Sequence, residues 1–269
     1  MIWQKAGRLW VSSTSHRSWL PLIKLGGRGE NNTLFLHGFG ADRLSWIGNA
    51  AALFPQASVY AVDLPGHGQA EIGQEASVSS MANAVAASID HHQLNNLHLV
   101  GHSLGGAVAI EIAAQQPTLA NALSLLSPAG LGEGINRRFI SEYPKLSEPE
   151  FVIDLLQTLV LDPRLISTMV APMVLAHLER PGVRRYLSSV ASHLAGLEGA
   201  LQPAIQSVVE SNIHRQIIWG NADTINPPDL SCIAEFGGEF HFLDSCGHLP
   251  HIEKRKTVNE LLVSFGVCL

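Results

Sequence analysis

Gly101-His102-Ser103-Leu104-Gly105-Gly106 matches G-x-S-x-G directly after the apolar run Leu97-His98-Leu99-Val100. A serine at a strand-to-helix turn sits in strained backbone with its hydroxyl presented, and small neighbours keep the adjoining chain from clashing. Ser103 is therefore the candidate nucleophile, with Gly101, His102 and Gly105 forming its turn. The pattern alone is weak in a chain with 24 glycines. Its context is stronger, because a run of small and apolar residues, Gly106-Ala107-Val108-Ala109-Ile110, continues as a helix.

A serine hydroxyl near neutral pH needs a general base, and an imidazole base needs a buried carboxylate to fix its tautomer and stabilise the imidazolium. Ile217-Ile218-Trp219-Gly220-Asn221-Ala222-Asp223 places an acid just past one strand, and Phe242-Leu243-Asp244-Ser245-Cys246-Gly247-His248 places a histidine just past the next. Both emerge at the carboxyl edge of a parallel sheet, where Ser103 also stands and where open α/β sheets bind ligands. Asp223 is the candidate acid and His248 the candidate base. Upstream, Thr33-Leu34-Phe35-Leu36 runs into His37-Gly38-Phe39-Gly40. The backbone N–H groups of Phe39 and Leu104 are candidate oxyanion donors.

Competing assignments are weaker. Asp244 lies four residues before His248 within or at the end of its strand. Cys246 has no base partner and reads as structural. His248-x-x-His251 is not the H-E-x-x-H zinc signature, so no metal is expected. His37 belongs to the oxyanion loop, His102 points away from the nucleophile, and His91 and His92 end a helix. Asp63-Leu64-Pro65-Gly66-His67-Gly68 reads as a structural turn after a strand. The chain has no G-x-G-x-x-G or P-loop pattern, so no dinucleotide or phosphate cradle is expected, and no cofactor.

The elements that position these residues follow from the whole chain. Its 269 residues suit one large domain or one domain with an insertion. Hydrophobic residues make up 46% and charged residues only 15%, against about 25% in an average chain, which excludes disorder. The net charge of −6 leaves no broad basic surface, so neither nucleic acid nor anionic lipid is an expected partner. Three cysteines form no C-x-x-C pair or disulfide framework. With no apolar leader and no long apolar run, the expectation is a soluble, cytoplasmic protein with no membrane partner. Thirteen histidines stand out against 17 lysines and arginines, so position must decide which of them is catalytic.

Short apolar runs alternate with helical periodicities, the pattern of a mostly parallel sheet covered by helices. Arg8–Ser15 and Trp19–Leu25 read as an antiparallel edge hairpin. Thr33–His37, Ser58–Asp63, Leu97–Gly101, Ala122–Leu126, Gln216–Trp219 and Glu239–Leu243 read as the later strands, eight in all. Helices are expected at Val78–His91, Leu104–Gln115 and His251–Phe265. From Leu131 to about Leu201 the alternation stops. Glu150–Val160, Pro163–Glu179 and Val183–Leu197 have helical spacing with no strand between them, so a helical cap at 131–201 is expected after the sixth strand, on a core of 1–130 and 202–269. Leu155, Leu156, Leu159, Met169 and Met173 either line an acyl pocket or pack the cap.

With these blocks in order, the chain resembles the α/β-hydrolase superfamily over nearly its whole length. His37-Gly38-Phe39-Gly40, Asp63-Leu64-Pro65-Gly66-His67-Gly68, Gly101-His102-Ser103-Leu104-Gly105-Gly106, Trp219-Gly220-Asn221-Ala222-Asp223 and Gly247-His248-Leu249-Pro250 carry the likeness. The resemblance implies the α/β-hydrolase fold, Ser103 as nucleophile, Asp223 as acid, His248 as base, and Phe39 and Leu104 as oxyanion amides. More narrowly, Ser127-Pro128-Ala129-Gly130-Leu131-Gly132 with Ile135-Asn136 and the Leu-rich cap is similar to the hydrolase-type domain of the acyltransferase component of acetoin dehydrogenase complexes. That likeness implies association with such a complex, although the length leaves no room for the component's lipoyl module.

The expectation is a cofactor-free, carboxylesterase-like serine hydrolase acting through an acyl-enzyme on a small, largely apolar ester, thioester or related carbonyl compound. Carbon–carbon hydrolysis or acyl transfer on the same three residues is the alternative. A non-catalytic binding member of the fold comes third.

Overall fold

The computed structural model describes residues 19–267. Its strands are β1 (Ile23–Gly26), β2 (Asn31–Leu36), β3 (Ala57–Val62), β4 (Leu97–His102), β5 (Ala120–Leu126), β6 (His214–Gly220) and β7 (Glu239–Leu243). They form one sheet in the order β1-β3-β2-β4-β5-β6-β7, antiparallel only at the β1–β3 edge. Seven strands are thus described. The expected eighth, Arg8–Ser15, lies outside the described residues.

The inner strands β2, β4, β5 and β6 are buried on both faces. Leu34, Leu36, Leu97, Leu99, Leu123 and Leu125 enter one core layer, and Phe35, Val100, Leu126 and Ile218 enter the other. This continuous apolar character is what a parallel strand covered on both sides requires. The larger layer is closed by α2 (Val78–His91) and α3 (Leu104–Gln115), and the smaller by α1 (Ile47–Leu53). Ser77 caps α2 by accepting from the Ser80 amide. In α3, Leu104 to Ile110 are all buried, because small residues let that helix press onto the sheet.

Between β5 and β6 the chain forms α4 (Arg137–Glu142), α5 (Pro149–Gln157), α6 (Val170–Leu178), α7 (Val183–Leu194) and α8 (Leu197–Val209). The helix expected over Pro163–Glu179 is broken. A 3-10 turn at Pro163–Leu165 ends at extended Ile166, and α6 starts only at Val170. Helix α7 stops at Leu194, and Ala195 and Gly196 separate it from α8. Helix α8 packs beside α3, so a division at residue 201 falls inside it. Pro203 stands within α8, where burial of Leu197, Leu201, Ala204, Ile205 and Val208 offsets its poor helix propensity.

Helix α9 (Leu230–Phe236) joins β6 to β7, and the chain ends in α10 (Pro250–Glu253) and α11 (Arg255–Val267). The single helix expected over His251–Phe265 is split at Lys254, whose φ and ψ of −120° and 39° leave the helical region. Among the described residues, no helix is long and apolar enough to cross a membrane.

Strand order reverses between β2 and β4, which are neighbours although β3 intervenes in sequence. A crevice opens at the carboxyl edge at such a switch point. The loops after β2 and β4 enter it from adjacent strands.

Candidate active site

Ser103 follows β4 with φ of 51° and ψ of −115°, a region that costs a non-glycine residue about 1–3 kcal/mol. Its surroundings hold it there. Its N–H donates to Leu126 O at 3.0 Å, and its carbonyl accepts from Gly106, Ala107 and Ala129. A Cβ on Gly101 would stand 2.7 Å from Gly106 Cα, and one on Gly105 would meet the carbonyl oxygens of Leu36 and His37. Only glycines allow the elbow to lie this close to α3 and β2.

Asp223 and His248 come together from the ends of β6 and β7. His248 Nδ1 is 2.8 Å from Asp223 Oδ2, with both side chains buried. Asp223 Oδ2 also accepts from the Trp219 indole at 3.0 Å, and Oδ1 accepts from the Ile225 and Asn226 amides at 2.9 Å each. Burial pushes the Asp223 carboxyl up, but the pull of His248 and the two amides outweighs it, leaving the group below its ordinary value. A carboxylate with four donors is fixed in place and accepts the Nδ1–H of the imidazole, so the other ring nitrogen is left as the base.

The loop after β2 is held by its own contacts. His37 Nε2 accepts from the Leu64 amide at 3.0 Å while Nδ1 donates to Gly38 O at 2.8 Å. Tyr143 Oη donates to Gly40 O at 2.6 Å. The Asp63–Gly68 turn braces this loop. Asp63 accepts from the amides of Arg43 and Gln69 at 2.8 Å each and from the Arg43 guanidinium. The Phe39 N–H has no hydrogen-bond partner among the described residues, and Leu104 N–H, first in α3, has no intrahelical acceptor.

A cavity of about 340 Å³ is walled by Ser103, His248, Phe39 and His102 on the sheet side and by apolar residues from between β5 and β6 on the other. No charged side chain lines it. Of the five residues left between pocket and cap packing, Leu156 and Leu159 reach it. Leu155 is buried facing a separate groove, while Met169 and Met173 are 74% and 59% exposed and lie outside the cavity.

Four positioning groups were not evident from the sequence. His102 Nε2 donates to the His248 carbonyl at 2.8 Å, so this residue ties the elbow to the base loop. The Glu253 carboxylate accepts from the amides of Gly247 at 2.9 Å, Leu249 at 3.3 Å and Leu161 at 2.8 Å. His248 N–H donates to Leu159 O at 2.8 Å. The fourth, Trp219, could have been suspected only from an indole placed one turn before the acid. Asp244 instead accepts from Asn221 on the surface. Cys246 is buried, and burial together with the Glu253 carboxylate pushes its thiol up to about 12, so it is no nucleophile. No group of three or more metal-ligating side chains occurs among the described residues.

Sequence and structure comparisons agree on the class. A sequence model of the alpha/beta hydrolase family matches residues 33–261. The dihydrolipoyllysine-residue acetyltransferase component of the acetoin cleaving system of Pseudomonas putida is 31% identical over 91% of this chain and 66% of its own length. The Cupriavidus necator component is matched over 63% of its length, so the chain spans slightly less than two-thirds of these relatives. Monoacylglycerol lipase ABHD6 of Bos taurus is 24% identical over 98% of this chain and 84% of its own. Among solved structures, a meta-cleavage product hydrolase from Pseudomonas fluorescens IP01 superposes with a TM-score of 0.79 at 22% identity, covering 91% and 92% of the two chains. At that identity the likeness speaks for the fold.

Proposed function

The chain belongs to the alpha/beta hydrolase family, and from that premise we propose that it is a serine hydrolase working through an acyl-enzyme on a small, largely apolar ester or thioester. The observation that carries the reading is the 2.8 Å bond from His248 to Asp223 at the wall of the cavity that Ser103 also lines.

His248 takes the Ser103 hydroxyl proton as Oγ adds to the substrate carbonyl carbon. The oxyanion lies against the Phe39 and Leu104 amides, which are preorganised donors costing no rearrangement as charge develops. Collapse breaks the bond to the leaving oxygen or sulfur, which takes the proton from His248. Water then gives a proton to His248 and adds to the acyl carbon, and collapse returns that proton to Ser103 with release of the acid. The residues between β5 and α8 serve as the cap whose apolar side chains shape the acyl site.

A fluorophosphonate probe tests the nucleophile. Labelling of the wild type that is lost in Ser103→Ala is expected, and labelling that persists overturns the assignment. The 31% identity to an acetyltransferase component favours acyl transfer as the second reading, along with association with a dehydrogenase complex. It differs only in whether a thiol or alcohol, instead of water, resolves the acyl-enzyme. Partition of product between acid and acyl acceptor in added thiol separates the two.

A further inference from the structure

Three imidazoles wall the cavity: His102, His248 and His251. Two are already engaged, His102 by the His248 carbonyl and His248 by Asp223. The third is not. His251 is 2% exposed, its ring lies 4.5 Å from that of Trp46 and 4.7 Å from that of His102, and its Nδ1 is buried with no hydrogen-bond partner among the described residues. Its backbone is fixed by Asn49, whose Nδ2 donates to His251 O at 3.2 Å. The ring is therefore held between two tilted aromatic neighbours while its Nδ1 goes unused. Buried polar groups are ordinarily paired, so such a group at a cavity wall marks a place where something else completes the pair.

We propose that His251 is a specificity-determining residue, the hydrogen-bonding subsite for a neutral hydroxyl on the alcohol half of the substrate. This deepens the hydrolase reading and rests on it. A neutral imidazole carries one donor and one acceptor and so matches a hydroxyl, which is also both. Burial lowers the His251 pKa to about 3, with the neighbouring His248 adding to the effect, so the ring offers no positive charge near neutral pH. No lysine or arginine lines the cavity to compensate. A carboxylate-bearing substrate would enter without a counter-charge, whereas a hydroxylated one finds a partner. Ser45, which precedes Trp46 in sequence and also lines the cavity, adds a second hydroxyl. The apolar walls then hold the acyl chain.

The test uses a matched pair, 2-hydroxyethyl octanoate and propyl octanoate, which differ by one hydroxyl in place of a methyl group. In the wild type, kcat/KM is expected to favour the hydroxyethyl ester about tenfold, the scale of one hydrogen bond. His251→Phe should abolish that preference, mainly through KM, and His251→Gln should restore part of it. The non-reacting ethers 2-(octyloxy)ethanol and 1-propoxyoctane give the same comparison by equilibrium binding, so the subsite is tested even where Ser103 proves not to be a nucleophile. A wild type that does not distinguish the ethers, or a preference that survives His251→Phe in a folded protein, overturns the subsite. If ether discrimination depends on His251 while neither ester is hydrolysed, the subsite stands and the hydrolase reading fails.

Discussion

The Trp219 indole and the His248 imidazole donate to one and the same oxygen, Oδ2 of Asp223, at 3.0 and 2.8 Å. Trp219 also donates to Asn226 O at 2.9 Å, so its N–H is shared between the acid and the turn that follows it. The indole thus fixes the carboxylate plane that orients the base. Trp219→Phe keeps the apolar bulk and removes the donor. A hydrogen bond to a charged group contributes about 1.5–3 kcal/mol, so kcat is expected to fall about tenfold or more with KM little changed. Equal kcat in a variant of unchanged melting temperature would show that the indole does not position the acid.

The two nearby acids should separate cleanly. Asp223→Asn leaves the pocket shape but gives His248 Nδ1 an unsuitable partner, and kcat is expected to drop by about 10⁴, the scale known for this change in serine hydrolase triads. Asp244→Asn removes only a surface charge bonded to Asn221 and should change kcat less than twofold. Steady-state kinetics on both variants checks the pair.

Buried histidines should make this protein sensitive to acid. Burial lowers His67 to about 3, His98 to about 4 and His251 to about 3, all from an ordinary value of 6.5. The unfolded chain therefore takes up protons that the folded chain refuses. Stability from these groups is complete above about pH 6.5 and is lost as pH falls toward 4 and then 3. Each contributes about 1.4 kcal/mol per pH unit in that window, roughly 4 kcal/mol per unit for the three. Against a total of about 5–15 kcal/mol, unfolding is expected between about pH 5 and pH 4. Denaturant titrations from pH 7 to 4.5 measure the slope, and His98→Gln should reduce it by about a third. A flat profile would contradict this origin.

Glu253 deserves a separate substitution because it serves three amides at once. Glu253→Ala leaves the Gly247, Leu249 and Leu161 N–H groups without their acceptor, at about 1–3 kcal/mol for each that stays buried. The expected result is a lower melting temperature by several degrees and slower fluorophosphonate labelling. Hydrogen exchange should accelerate at Leu161 and Gly247 before it does in β4.

Much of the frame was legible in the sequence because it rests on local pattern. Helices α2 and α3 begin and end at the expected residues, since Ser77 and the Ser103 turn mark their starts. Ser103, Asp223 and His248 could be named because each follows an apolar strand at one sheet edge. What was not legible depends on contacts between distant segments. Helix α8 contains Gly199 and Pro203 and is stabilised by burial beside α3. Lys254 interrupts a pattern whose apolar period continues through it. Met169 and Met173 share the period of the cavity-lining residues yet face outward, because the break at Ile166 resets the rotation of α6. No periodicity could show that His102 reaches the carbonyl of His248, 146 positions away.

The bonds from His248 N–H to Leu159 O and from Leu161 N–H to Glu253 have a consequence for exchanging segments between related chains. A chimaera that imports the residues between β5 and β6 to change substrate preference also imports half of the tether on the base. Such a graft preserves activity only if its backbone passes the Gly247–His248 loop in the register of Leu159 to Leu161. Randomised libraries in this region should therefore leave those three positions untouched and vary the cavity wall around them.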